Sequence, residues 1–387
     1  MKKYLLSCFL LFAACIGAEA QLNKIDSLLQ TPTALSSQTA IMVYDLTADT
    51  VIYKHNEQWH IRPASTQKLF TAVAALKNLG EHYLFQTSLY QEGTVSGRTF
   101  VGNLYVVGGM DPLFGKADLD EFVSAVQALQ IDTLCGYIYA DRSMRTPERL
   151  GEGWCWDDKN PILSPLLYKR KDQLCESLLS ALAAKGLVVI CEGSPIGEKA
   201  CPPSASMLSQ RVHRLNEVLM PMMKESDNLY AEAMFYQLGA LYQPGFVHAR
   251  HAKRAVRQLL NEMGVPSSDY RLADGSGLSL YNYTTAEIEV RLLRYAYQHP
   301  AVYQPLLQSL PIAAVDGTLK ERMTNSPAAG RVQAKTGTLS GVHALSGYAT
   351  AANGHRLCFA IVNQGSLSGK AARALIDAIC VSIVGGF

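Results

Sequence analysis

Apolar and polar positions change period along the chain and divide it into elements. Residues 40–57, AIMVYDLTADTVIYKHNE, are predicted as two strands around a turn at Ala48-Asp49. The next segment, STQKLFTAVAALKNLG (65–80), carries Leu69, Val73, Ala74 and Leu76 at helical spacing and stops at Gly80. It predicts a helix starting at or near Ser65. The character then changes. FQTSLYQEGTVSGRTFVGNLYVVGGMDPLF reads as strand and turn, with Gly93, Gly97 and Gly102 as breaks. Residues 117–130 read as helix and TLCGYIYAD as a strand. After about Leu208 the pattern is helical again, through RVHRLNEVLMPMMKESDNLYAEAMFYQLGALY. Near the end, RVQAKTGTLSGVHALSGYATAANGHRLCFAIVNQ predicts strands with a turn at Asn353-Gly354, and GKAARALIDAICVSIVGG a closing helix. Strands followed by a helix flank a different middle. This predicts an α/β (α+β) domain over 21–81 and 209–387, interrupted by a smaller, mainly β insertion over 82–208.

Composition agrees with more than one domain: 387 residues, 48% of them hydrophobic, bury a large core. The net charge is +2 with no basic stripe, so nothing points to nucleic acid as a partner. The N-terminus, MKKYLLSCFLLFAACIGAEAQ, has a positive start, a short apolar core and a small–x–small site at Ala18-Glu19-Ala20. It predicts a signal peptide (1–20) cleaved after Ala20, and export to the periplasm. Cys15 offers a rival, a lipoprotein signal with lipid anchoring at the membrane surface, against which Phe12 speaks. Seven cysteines lie outside the signal. Most read as small buried hydrophobes, and Cys191 and Cys201 are close enough in sequence for a disulfide. No CxxC pair occurs. His248 and His251 read as a solvated helix face, and QGSLSGKA lacks the residues of a phosphate loop, so neither metal nor cofactor is expected.

Ser65 and Lys68 lie three apart, which on a helix places them on one face. Pro63 sits where a missing N–H costs little, and a serine in a first turn has free backbone N–H groups beside it. A lysine depressed by burial or by a nearby cation takes the proton of such a serine. Alone, S-x-x-K also describes an ordinary helix start with a surface lysine. Ser226-Asp227-Asn228 between two helices and Lys335-Thr336-Gly337 on a strand change the weight. The three strings, in this order, are the signature of penicillin-binding proteins and class A β-lactamases.

The chain resembles the D-alanyl-D-alanine carboxypeptidase/endopeptidase family, the low-molecular-mass class C penicillin-binding proteins of the peptidase S13 type. VVGGMDPLF (with Met110 where the family has glycine), GWCWDD, LADGSGLS, DGTLKERM and KTGTLSGVHALSGY extend the likeness over most of the mature chain. The resemblance implies a β-lactamase-like transpeptidase fold, peptidoglycan stem peptides as substrates and β-lactam antibiotics as covalent inhibitors. By the same resemblance Ser65 is the acylated nucleophile and Lys68 its base. Ser226 relays a proton beside Lys335, and Asn228 holds the substrate amide. Lys335 and Thr336 bind the terminal carboxylate, the N–H groups of Ser65 and Thr338 form the oxyanion hole, and Gly337 gives the substrate access to the strand. Asp111 is either a turn residue or, by resemblance, a contact for a substrate ammonium. Asp274 and Ser276 read as a tight turn near the site, and Trp154 and Trp156 as packing residues. Leu280 stands where the family commonly has arginine. Two rival functions share the scaffold: a β-lactamase or serine esterase, and a non-catalytic cell-wall binding protein.

Overall fold

A computed structural model describes residues 24–385. The predicted signal peptide and Cys15 lie outside the described residues. Among these, no helix is long and apolar enough to cross a membrane. The chain divides into two compact units. The first comprises the chain up to Lys77, Met220–Asp227, and the chain from Val256 on; the second comprises Asn78–Leu219 and Asn228–Ala255. The expected insertion, 82–208, falls inside the second unit, which also holds the residues after the S-D-N turn.

The first unit is built on a five-stranded antiparallel sheet. Its strand order is Val332–Leu339, Val342–Thr350, Arg356–Gln364, Gln38–Asp45 and Thr50–His55. The three inner strands are buried almost end to end. Their near-continuous apolar runs follow from a sheet covered on both faces. On one face the helix Gly369–Val384 packs Leu375, Ile376, Ile379 and Ile383 against Ile41, Val43, Leu345, Phe359 and Ile361. On the other lies the helix Ala286–Tyr297, started by the Thr285 hydroxyl, which accepts from the Ile288 N–H. The expected turn at Ala48-Asp49 is present, with Asp49 at φ 53°, and Gly354 turns the last hairpin at φ 87°.

The second unit holds a seven-stranded mixed sheet. Leu84–Ser96, Thr99–Val107 and Ser206–Arg214 pair antiparallel, and the shorter strands join in parallel. Helices Lys116–Gln127 and Leu174–Ala184 cover it through Phe122, Val126, Leu178 and Leu182. Four local expectations are corrected. Residues 206–214 form a strand where a helix was expected to begin, because Leu84–Ser96 supplies a long partner. TLCGYIYAD is two strands broken at Gly136, whose added Cβ would lie 1.8 Å from the Gly102 carbonyl. Cys191 and Cys201 are unpaired, as are the other described cysteines. Trp154 is buried, but Trp156 is 87% exposed and packs nothing.

Phe359 lies at the centre of the first unit's core on the middle strand. Phe359→Ala should cost about 3–5 kcal/mol, read as a lower denaturant midpoint for unfolding of that unit.

Candidate active site

A short 3-10 turn, Ala64–Thr66, leads into the helix Gln67–Asn78. Every residue from Gln67 to Leu76 is buried, so this helix is enclosed on all sides, as its apolar composition demands. Lys68 lies inside it with no exposed surface, which rules out a surface lysine. Its Nζ donates to Ser65 Oγ at 2.9 Å and to the Ser276 carbonyl at 2.7 Å. Ser65 itself is half-buried, at the mouth of the turn.

The turn is wedged between two glycines. A Cβ on Gly277, which sits at φ +80°, would lie 1.8 Å from the Ala64 carbonyl oxygen. A Cβ on Gly337 would meet the Pro63 carbonyl at 2.7 Å and Ala344 Cβ at 2.9 Å. The missing side chain of Gly337 makes room for the serine's own turn. Asp274 builds the opposing loop, accepting from the N–H groups of Gly277 and Ser279 and from Asn282 Nδ2. The D-G-S-G segment is therefore a support for the turn, joined to the helix by Thr71 Oγ1 donating to the Gly275 carbonyl.

Ser226 stands in the turn after the helix Leu215–Lys224, at φ 61°. The turn is anchored by Lys224, whose Nζ donates to the Leu310 carbonyl and to Asp316, each at 2.6 Å. Lys335, fully buried on the edge strand Val332–Leu339, donates to Ser226 Oγ and to the Thr336 carbonyl, each at 2.8 Å. Two buried lysines thus each hold a serine hydroxyl. Burial, and then the charge of Lys68, push the Lys335 ammonium well below the ordinary lysine range. Thr336 Oγ1 donates to Thr318 Oγ1, in the D-G-T segment that follows Asp316.

Strand alternation orients the backbone of the K-T-G segment. The Val332 carbonyl and the Ala334 N–H bond outward, to Ala313 and Pro311. The register with Val342–Thr350 is unbroken, so the N–H groups of Thr336 and Thr338 face the same open edge. Thr338 is exposed there. Asn228 opens the helix Asn228–Ala240 in the second unit. Asp111 also belongs to that unit and is 1% exposed. One of its oxygens accepts from the Leu113 N–H at 3.0 Å and the other lies 2.6 Å from His213 Nδ1. Both oxygens are engaged within the second unit. His248 contacts Glu148, and the described residues contain no cluster of metal-ligating side chains.

A model of the D-Ala-D-Ala carboxypeptidase 3 (S13) family matches residues 21–166 and 170–383. The chain belongs to this family. The S13 chain is 29% identical to the D-alanyl-D-alanine carboxypeptidase of Actinomadura sp. (strain R39), over 93% of its own length and 84% of the relative's. It is 24% identical to the D-alanyl-D-alanine carboxypeptidase DacB of Haemophilus influenzae, over 87% and 88%. In fold it is similar to the crystal structure of penicillin binding protein 4 from Haemophilus influenzae, with a TM-score of 0.83 at 22% identity, covering 93% and 98% of the two chains. A predatory endopeptidase from Bdellovibrio bacteriovorus superposes with a TM-score of 0.58 at 17% identity, over 89% and 90%. The protein is thus a carboxypeptidase-family enzyme on a penicillin-binding fold.

One residue of this S13 site escaped the sequence motifs. Glu289, on the helix Ala286–Tyr297, is fully buried between Thr66 Oγ1, 2.7 Å away, and Ser346 Oγ. Nothing in its local sequence marks it, because its partners come from 223 and 57 residues away. Burial raises its carboxyl to about 7, against the two hydroxyl bonds that lower it. The folded state holds the Glu289 proton where the unfolded chain has lost it, so raising the pH between 4.5 and about 7 favours unfolding. Stability is highest below pH 4.5 as far as this group is concerned. Relative to Glu289→Gln, the wild type should lose about 3 kcal/mol across that window, measured by urea unfolding at successive pH values.

Proposed function

We propose that the protein is an exported serine DD-peptidase that hydrolyses D-alanyl-D-alanine bonds of peptidoglycan stem peptides through an acyl-enzyme on Ser65. The observation that carries this reading is the buried Lys68 Nζ at 2.9 Å from Ser65 Oγ. An amine at that distance is placed to take the serine's proton as the hydroxyl attacks. Ser65 Oγ attacks the carbonyl carbon between the two D-alanines as its proton passes to Lys68. The oxyanion is held by the N–H groups of Ser65 and Thr338, the latter on the open strand edge. The C–N bond then breaks, and the leaving amine takes a proton through Ser226, the hydroxyl that Lys335 holds. Water attacks the ester, the same groups move its proton, and Ser65 is regenerated. Asn228, two residues after Ser226, holds the substrate amide. Lys335 and the Thr336 hydroxyl receive the terminal carboxylate, Thr336 exchanging its bond to Thr318. Asp111 is left out of the substrate contacts because both its oxygens are taken. Export rests on the signal-like first twenty residues.

Incubation with a peptide ending in D-Ala-D-Ala should release D-alanine. Ser65→Ala should stop the release and abolish covalent labelling by a fluorescent penicillin, with the circular dichroism unchanged. Labelling that persists in this variant would remove Ser65 from the mechanism.

Lys335 gives a second test. A carboxylate beside it restores the ammonium that burial and Lys68 disfavour, so substrate binding takes up a proton. The KM for an acid-terminated peptide should therefore rise with pH as Lys335 loses its charge, while that of the amidated peptide stays flat. Lys335→Ala should lower kcat/KM on the acid substrate roughly tenfold to a hundredfold, the worth of a charge-assisted hydrogen bond. It should scarcely respond to amidation. Penalties that simply add would place the carboxylate elsewhere.

A further inference from the structure

Glu289 is a buried acid that the reaction scheme does not use. Its two oxygens meet two different parts of the site. Thr66 directly follows Ser65, and Ser346 pairs with Lys335 across the ladder. One carboxyl therefore ties the serine's turn to the strand beside the lysine. Both partners are hydroxyls, and no cation pairs with the group. An ionised carboxylate in that setting bears a large uncompensated desolvation cost.

A neutral Glu289 also accommodates both contacts of the Thr66 hydroxyl. The Thr66 hydroxyl lies 2.8 Å from the Pro63 carbonyl and 2.7 Å from Glu289 Oε1. It carries one proton and the carbonyl is an acceptor only. If Thr66 donates to Pro63, Glu289 has to donate to Thr66. The chain then runs Ser346 O–H to Glu289 Oε2, Glu289 Oε1–H to Thr66 Oγ1, and Thr66 O–H to the Pro63 carbonyl. Each proton is used once and every acceptor is filled. With Glu289 ionised, the Thr66 proton turns to the carboxylate and the hydroxyl clasp across Pro63–Thr66 is lost.

We propose that Glu289 is a positioning residue for acyl transfer, which bridges the turn carrying Ser65 to the strand beside Lys335, as a neutral acid leaving the Thr66 hydroxyl on the Pro63 carbonyl and on ionisation drawing it away. This rests on the reading of Ser65 as nucleophile. The surroundings leave the group to titrate on its own. Directly paired residues share a sheet face, so Tyr44, Lys335, Tyr348 and Cys358 face the helix side with Ser346. Tyr303 meets Tyr348 edge to face, and Lys68 comes from the serine's helix. Burial raises Tyr44 to about 12 and pushes Tyr303, Tyr348 and Cys358 upward, so all four stay neutral near pH 7. The lysines donate to Ser65 and Ser226. Burial holds Glu289 itself at about 7.

The test is the rate constant of acylation by a fluorescent penicillin, measured by stopped flow from pH 5.5 to about 9, the span over which a group near 7 titrates fully. Glutamine keeps one acceptor and one donor in place, so Glu289→Gln should acylate within about threefold of wild type at the acid end and lose the fall in rate above neutrality. Glu289→Ala should acylate at least tenfold more slowly at every pH, with little change in the initial non-covalent Kd. A wild-type rate in Glu289→Ala, or an unchanged alkaline fall in Glu289→Gln, overturns the proposal. If the alanine variant does not fold, the pH profile of the glutamine variant decides alone. Mass mapping of the acylated residue separates the two readings. Label on Ser65 with an indifferent Glu289 sinks only the bridge, whereas label elsewhere sinks the nucleophile first.

Discussion

The turn Pro63–Thr66 exists in this shape only because two backbones reach it without side chains. Gly277 approaches the Ala64 carbonyl from one side and Gly337 approaches the Pro63 carbonyl from the other. Between them Ala64 is held at φ 48°, a left-handed conformation that a β-carbon makes unfavourable. The packing on both sides supplies what that conformation costs. The gain is a serine at the start of a buried helix, with its backbone N–H beside an open strand edge. Asp274 and Asn282 set the first glycine, and the edge strand sets the second. The loop, the turn and the strand are therefore one object, and the serine's position is a property of all three.

The electrostatics follow from the same enclosure. Two lysines buried in one site do not both hold a proton at low cost, and Lys335 yields under burial and the charge of Lys68. An acid beneath them would ordinarily neutralise one. Glu289 instead points at hydroxyls and stays near neutrality. The site thereby leaves Lys68 and Lys335 bonded to serine hydroxyls, with no ion pair to Glu289. Lys224 shows the contrasting use: bonded to Asp316 near the surface, it fixes the turn of Ser226 and takes no part in the exchange.

The second unit carries residues whose partners lie far away in the chain. Asp111 sits in a run of glycines that resembles a substrate-binding segment, yet its partner His213 comes from a strand 102 residues later. No local pattern announces such a pairing. The strand Ser206–Arg214 was hidden for the same reason. Its helical spacing is real, but Leu84–Ser96 offered a longer ladder than a helix end offered bonds.

The sequence alone determined the elements around the site and the order of its three motifs. Ser65, Lys68, Ser226 and Lys335 were legible because each lies in a short motif of fixed residue types at fixed spacing. Gly80, Asp49 and Gly354 were legible because turn chemistry is local. The tertiary structure alone decided which groups meet. It buried Lys68 and Lys335 together, brought Thr318 to Thr336, gave Gly337 the task of admitting the serine's turn, and set Glu289 between Thr66 and Ser346. These are contacts between segments far apart in the chain. Their energies depend on burial and on distances that no spacing along the sequence encodes.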